Sequence, residues 1–475
     1  MKADNLFDAI GNVDGDMILG AKSVPKKKIF HTKKAWISAI AAMLVLSLVL
    51  GSFLLPSSQT GLSAYALAEA EYPADVPYPT DYTSSNYSDY STWRNNQLAR
   101  QQAFRDLDVN IDDFLYRTIG EFLSNQDGEN VVFSPLNVYM ALAMLAEITD
   151  NNSRRQILDV LGCDSIETLR KEASALWTAN YSNDGLVTSV LASSVWLSDN
   201  LCYKQETLQK LADIYYASSY SGKMGSAEYN KLLQDWLNEQ TGGLLKDSVK
   251  DVEMDPSTIM ALATTIYFKA SWTDTFSKNY TKEGVFHTPT GDVTCDFMKQ
   301  TMSETCYFGK QFTAVKKSLG DSSYSAMWFI LPNEGITPEQ LLNDEEALTF
   351  LSSSQKEKNT KSALVHYSVP KFDVSSDLDL KNGMKNLGIT DVFDSARSDF
   401  SSLVDSSGIE VTNAQHSARV TIDEDGCTAV AFTYLCGATG GIPDEIDFTL
   451  DRPFLFAITS DVGLPLFVGI VNQPN

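Results

Sequence analysis

Hydrophobic positions along the chain fall into three regimes. Residues 35–55, AWISAIAAMLVLSLVLGSFLL, run for 21 positions without a charge, and at ~1.5 Å per helical residue they can cover a hydrocarbon core of ~30 Å. A transmembrane helix is the element this predicts. Over residues 56–105 the apolar pattern gives way to Tyr, Pro, Ser and Asp, as in YPADVPYPTDYTSSNYSDYSTW, with neither helical nor strand periodicity. From 106 onward the periodicity returns. Leu107, Ile111, Phe114, Leu115, Phe122 and Leu123 recur at helical spacing, and Ser134-Pro135 opens a second helix as N-cap and first helical residue. Later runs such as LVTSVLASSVWL, TIMALATTIYFK, SAMWFILP, ALVHYSV, PFLFAITS and PLFVGIV are apolar, β-branched or aromatic and bounded by Pro, Gly, Asp and Asn, as strands of buried sheets are.

These regimes predict four segments: a cytoplasmic tail (1–34), an anchor (35–55), a flexible linker (56–105) and one α+β domain (106–475) with helices first and large sheets after. Lys22, Lys26, Lys27, Lys28, Lys33 and Lys34 precede the apolar run, and the positive-inside rule then puts the domain outside a single-pass cell membrane. As a coil, the linker has an r.m.s. reach of ~40 Å. The competing reading is a cleaved leader, with small-residue sites at Ala64, Ala66 and Ala68; cleavage near Ala66 or Ala68 would make the domain secreted.

Composition narrows the functions. A net charge of -24 repels phosphate backbones and so argues against nucleic acid as a ligand. The six cysteines, at 163, 202, 295, 306, 427 and 436, have no CxxC spacing and no histidine companions, so neither a metal site nor a disulfide framework is expected. No nucleophile-elbow, zinc-protease, P-loop or dinucleotide-binding motif occurs, and the chain is read as a non-enzyme needing no cofactor.

One segment stands apart. Residues 426–443, GCTAVAFTYLCGATGGIP, carry no charge and no proline before the last position, and they form a long connection between two strand-like segments. Exposed, such a segment is an aggregation hazard unless it has a use. Cys427, Ala429, Ala431, Thr433, Leu435 and Gly437 would share one face of an extended strand, and all are small or apolar. An ordinary buried hairpin strand is the plainer reading of the same pattern.

Several separated motifs, in order, resemble the serpin family. NVVFSPLNVYMALAMLAE carries Ser134 and Pro135, with Asn137 where the family has a second Ser. MALATTIYFKASWTDTF supplies Tyr267, Phe268, Lys269, Trp272 and Phe276, while Thr264, Thr265 and Ala270 depart from the pattern. VPKFDVSSDLDLKNGMKNLGITDVFD, SDFSSL, AQHSARVTIDEDG with His416, Glu424 and Gly426, DRPFLFAI and LPLFVGIVNQP follow. The likeness spans essentially 107–475 and, with the anchor, suggests a bacterial membrane-anchored type.

The resemblance implies helices packed on three β-sheets and an exposed reactive-centre loop that a serine protease attacks and that then inserts into the main sheet. It implies a hinge of Glu424, Gly426, Cys427, Thr428, Ala429, Val430 and Ala431, and a sheet-opening region that includes Ser134, Asn137, Trp272 and His416. Counting sixteen residues from Glu424 gives Gly440-Gly441 as the reactive bond, with Ala438, Thr439 and Ile442 as flanking subsites. Gly440 at the cleavage position suits elastase-like or subtilisin-like partners. A monomer that acts as an irreversible inhibitor is expected; the alternative is a non-inhibitory serpin serving as chaperone, carrier or surface binding protein. Two features stay open at this stage: a Cys427–Cys436 disulfide, and a pH response through the His416 imidazole.

Overall fold

The computed structural model describes residues 59–79, 87–107, 109–124, 128–243, 249–321, 325–354, 356, 360–412, 414–427 and 444–474. Residues 35–55, read above as an anchor, and the loop residues 428–443 lie outside the described residues, and so do the subsites and reactive bond assigned to that loop. Among the described residues no helix is long and apolar enough to cross a membrane.

Among the described residues the main sheet has eight strands. Seven are labelled in chain order: β1 (Ala66–Ala68), β2 (Val187–Ser198), β3 (Ala217–Gly222), β4 (Met260–Ser271), β5 (Phe372–Asp379), β6 (Gln415–Ile422) and β7 (Gly426–Cys427). Their spatial order is β1-β3-β2-β4-β7-β6-β5, with Ser182–Asn183 beside β2. β2 and β4 pair over their whole length, from Val187 opposite Ala270 to Leu197 opposite Met260. β6 alternates in burial, with His416, Ala418, Val420 and Ile422 inward, the period of a strand with one face on the core.

Among the described residues the second array is a continuous one of nine strands. Three sheets were expected, but Gly291–Phe308 is 18 residues long and pairs with Lys282–Thr288, Lys361–Pro370 and Phe312–Ser318. One strand spanning both remaining sheets joins them into one hydrogen-bonded array.

Two helices matter below, α1 (Tyr87–Asp106) and α2 (Pro135–Ile148). α2 starts where Ser134-Pro135 predicts: the Ser134 hydroxyl caps it by accepting from the Asn137 N–H at 3.4 Å, and Pro135 fills the first position. Nearly every residue of α2 is buried, and it is apolar on all sides except at Asn137 and at Glu147, which pairs with Arg170 at 2.7 Å.

The stretch 56–105 was expected to be a flexible linker. Its described part is instead built into the fold. β1 adds an edge strand, pairing Ala66 with Tyr220 and Ala68 with Ser219; cleavage at Ala66 or Ala68 would therefore cut a paired strand. Tyr72 packs its ring 5.2 Å from that of Trp177. Asp75 accepts from Arg100 at 2.9 Å and from the Asn183 N–H at 2.9 Å. In α1, the Trp93 indole and the Gln97 amide both donate to the Asp184 carboxylate, at 2.9 and 3.2 Å. The aromatic residues that made the segment look like low-complexity sequence supply the buried area that fixes it.

Candidate functional site

The facing edges of β4 and β6 carry the site. The outer edge of each is fully paired, β4 with β2 and β6 with β5. Between the facing edges, the only ladder contacts among the described residues are those of the two-residue strand β7: Gly426 opposite Ser271, and Cys427 opposite both Ala270 and Ile422. Below β7, β4 has no further ladder partner on this edge among the described residues down to Met260, about ten residues or roughly 33 Å. A cavity of about 350 Å³ occupies this region, lined by Met260–Thr265 of β4, Gln415 and Ser417 of β6, and Leu142 and Leu145 of α2. Open strand edges lined by apolar side chains can receive another strand.

At the top of the gap, the turn Asp423–Gly426 reverses the chain into β7. The Asp423 carboxylate accepts from the N–H groups of Asp425 and Gly426 at 2.9 and 3.2 Å, closing the turn with its own side chain. Three consecutive carbonyls of this hinge are held from one segment. Trp272 donates its indole N–H to Asp423 O at 2.9 Å and its main-chain N–H to Asp425 O at 3.2 Å, and Phe276 N donates to Glu424 O at 3.0 Å. The Glu424 carboxylate accepts from the Thr281 hydroxyl at 2.7 Å and meets the Lys371 ammonium at 3.0 Å. Burial pushes that carboxyl up, but these two bonds outweigh it and hold it below its ordinary range. Lys278 pairs with Asp425 at 2.9 Å on the outside.

Gly426 is required here. Its φ is +151°, and a Cβ would lie 2.4 Å from Ala270 O, so no side chain fits between the hinge and β4. Cys427 follows, 3% exposed, on the same inward face as Ile422. Burial pushes its thiol up to about 12, which leaves no reactive thiolate. Cys163, Cys202, Cys295 and Cys306 are likewise free.

The middle of the gap is bridged from below. Ser134 N donates to His416 Nε2 on β6 at 3.0 Å, and the Asn137 amide donates to Thr264 O on β4 at 3.3 Å. The N-terminus of α2 thus ties both edges without closing the space between them. His416 is fully buried against the Phe133 ring, 5.4 Å between centres, and burial pushes its imidazole down to about 4. It is neutral at physiological pH and acts as an acceptor, so the pH response sought from its residue type falls on the acid side, not near neutrality.

Ser134, Asn137, Trp272, His416, Glu424, Gly426 and Cys427 therefore gather along one gap. Thr428, Ala429, Val430, Ala431, Ala438, Thr439, Gly440, Gly441 and Ile442 are outside the described residues. The residue-by-residue reading missed Lys371, Thr281 and Asp423. Lys371 was legible in the P-K-F motif, and Asp423 in its place before a glycine turn.

Among the described residues, β4 and β6 face each other across a gap with only the two-residue strand β7 between them. The serpin (serine protease inhibitor) family model matches residues 109–474. An alpha-1-antitrypsin-like protein of Ictidomys tridecemlineatus is 30% identical over 374 residues, covering 76% of this chain and 86% of its own length. The native-state crystal structure of the thermophilic serpin tengpin has a TM-score of 0.69 at 24% identity, covering 86% of this chain and 97% of that one. Thyroxine-binding globulin in complex with thyroxine has a TM-score of 0.65 at 23% identity, covering 77% and 98%; both structural likenesses are likenesses of fold. The chain belongs to the serpin family, whose description is that of serine protease inhibitors.

Proposed function

We propose that the protein is an irreversible suicide inhibitor of serine proteases with small-residue specificity, acting as a monomer. The observation that carries this reading is the gap between β4 and β6 with β7 started at its top. Continuing the β7 register by arithmetic sets Ala429 opposite Phe268 and Val420, Ala431 opposite Ile266 and Ala418, and Thr433 opposite Thr264 and His416. In that register the small-residue face of the loop meets the core, and Gly437 reaches the level of Met260. The bulkier Val430 and Phe432 alternate to the other face.

The protease serine attacks the Gly440 carbonyl, the Gly441 amine leaves, and an ester joins Gly440 to the enzyme. The freed strand then inserts, drawing the enzyme on the order of 50 Å along the sheet at ~3.3 Å per residue before water reaches the ester. Between ten and twenty ladder bonds at roughly 1 kcal/mol each supply a driving force of about 10 kcal/mol or more, withheld from the starting fold. The trap is kinetic. Gly440, preceded by Ala438 and Thr439 and followed by Gly441 and Ile442, suits a shallow specificity pocket, and no Lys or Arg lies between 426 and 451 to serve a trypsin-like enzyme. Cleavage at Tyr434 or Leu435 leaves too short a strand and inactivates without trapping.

The lysine-flanked run 35–55 holds the domain at the outer face of a cell membrane, where it meets proteases of the surroundings. That anchor and the absence of a disulfide framework in the sequence support a bacterial surface as the setting.

The test is to mix the full chain, in detergent, with an elastase, a subtilisin and trypsin. An SDS-stable complex with elastase or subtilisin, with a released peptide beginning at Gly441, is the expected result. Clean cleavage of the loop by every protease with no stable complex would replace inhibition with the carrier or chaperone reading.

A further inference from the structure

Strand Phe312–Ser318 of the second array buries a lysine. Lys317 is 1% exposed, and among the described residues it makes no ion pair with a carboxylate. Its ammonium donates to Gln300 Oε1 at 2.8 Å and approaches Met302 Sδ at 3.4 Å. Three rings surround it, with centres at 4.7 Å for Phe276, 5.4 Å for Tyr367 and 5.8 Å for Trp272. Taking an ammonium out of water is costly, and desolvated cation–π contacts recover part of that cost. Glu304 and Asp274 act on it through space and oppose the downward push of burial on its pKa.

Two walls of this cage are the residues that hold the hinge. Trp272 and Phe276 supply the N–H groups bound to Asp423, Glu424 and Asp425, and Gln300, whose oxygen accepts from the ammonium, donates to Thr275 O at 3.3 Å, beside Phe276. The cation and the hinge therefore share one set of aromatic supports, approached from two elements of different sheets.

We propose that Lys317 is a positioning residue for loop insertion: its ammonium fixes the rings of Trp272 and Phe276, and through their N–H groups it keeps the hinge at the mouth of the gap, ready to enter. This rests on the inhibitory reading above. A buried ion exchanged for an apolar side chain of similar length is often neutral or stabilising for the fold. Lys317→Met therefore separates positioning from plain stability.

In Lys317→Met the thermal midpoint is expected to hold or rise. Amide exchange at Phe276 and at the Trp272 indole is expected to speed up at least tenfold, and the molecules of inhibitor consumed per protease trapped to rise at least fivefold. Gln300→Leu, which leaves the ammonium but removes its oxygen, should move both readouts the same way by a smaller factor and stands in if Lys317→Met does not fold. Unchanged exchange at Trp272 and Phe276 in the folded variant overturns the proposal, and so does an unchanged stoichiometry in a chain that traps protease. If the native chain traps no protease, the inhibitory reading fails by itself, and the exchange measurement still decides whether Lys317 positions the hinge.

Discussion

The top of the gap and its middle are held in opposite ways. At the top, the hinge is fixed by its own main chain: three carbonyls and two ladder positions, backed by carboxylates and ammoniums at the protein's edge. In the middle, the Ser134 N–H and the neutral Asn137 side chain reach up from the start of α2, to the neutral His416 imidazole on β6 and to Thr264 O on β4. The top is specified by backbone shape and tolerates charge; the middle is specified by side-chain identity and admits none. The largest effect should come from breaking the shape. In Gly426→Ala the new Cβ meets Ala270 O and the Ser271 Cα, at 2.4 and 2.7 Å, both main-chain atoms that cannot swing aside. Strain of about 2–3 kcal/mol adds to the lost β7 pairing, so a urea midpoint well below the native one is expected, together with loss of exchange protection at Cys427. A native-like midpoint would mean that β7 is not held where its ladder implies.

Acid separates the two regions next. His416 has a folded pKa of about 4 against ~6.5 in an unfolded chain. Between those values the unfolded state binds a proton that the folded state refuses, so stability is complete above ~6.5 and falls as pH drops toward 4. At about 1.4 kcal/mol per pKa unit, the loss amounts to a few kcal/mol. Glu424 has the same sign in a lower window. Its carboxyl sits below the ordinary range, so its contribution is present above the unfolded value of ~4.3 and disappears only as pH falls through the folded pKa. His416→Gln keeps an acceptor for Ser134 N–H and should flatten unfolding free energy against pH between 6.5 and 4, at a cost of about 1 kcal/mol at neutral pH. A slope that survives the substitution between ~6.5 and ~4.5 would overturn the assignment to His416, since Glu424 at the top loses its contribution only at lower pH.

Much of this was readable in the chain because pattern and burial coincide. The β-branched runs became strands, Ser134-Pro135 became a capped helix start, and Trp272, His416 and Glu424 lie along the gap between β4 and β6. Three things were hidden for physical reasons. α1 buries Trp93, Gln97, Gln101 and Phe104, a helical spacing of 4, 4 and 3, but two of the four are glutamines, and Gln97 is tolerated inside because Asp184 accepts from it. A search for apolar periodicity passes over such a face. Lys317 was hidden by its type, since a lysine on a strand reads as surface, and only the three rings drawn from two distant segments, Trp272–Phe276 and Tyr367, explain its burial. The joining of two sheets depended on one strand long enough to serve both, which local periodicity does not count.

The smallest effect tests whether charge at the top matters beyond geometry. Glu424 is buried at its carboxylate, with 7% side-chain exposure, but Lys371 is 34% exposed, so solvent screens the pair and its contribution is modest. Lys371 also meets Asp296 at 3.5 Å and keeps a partner if Glu424 is neutralised. Glu424→Gln retains an oxygen for the Thr281 hydroxyl and loses only the charge. A decrease of about 1 kcal/mol in unfolding free energy is expected at low salt, shrinking as ionic strength rises past the point where the Debye length falls below ~10 Å. An equal decrease at every salt concentration would show that the carboxylate acts on the hinge through hydrogen-bond geometry alone. The top would then resemble the middle more closely than its charges suggest.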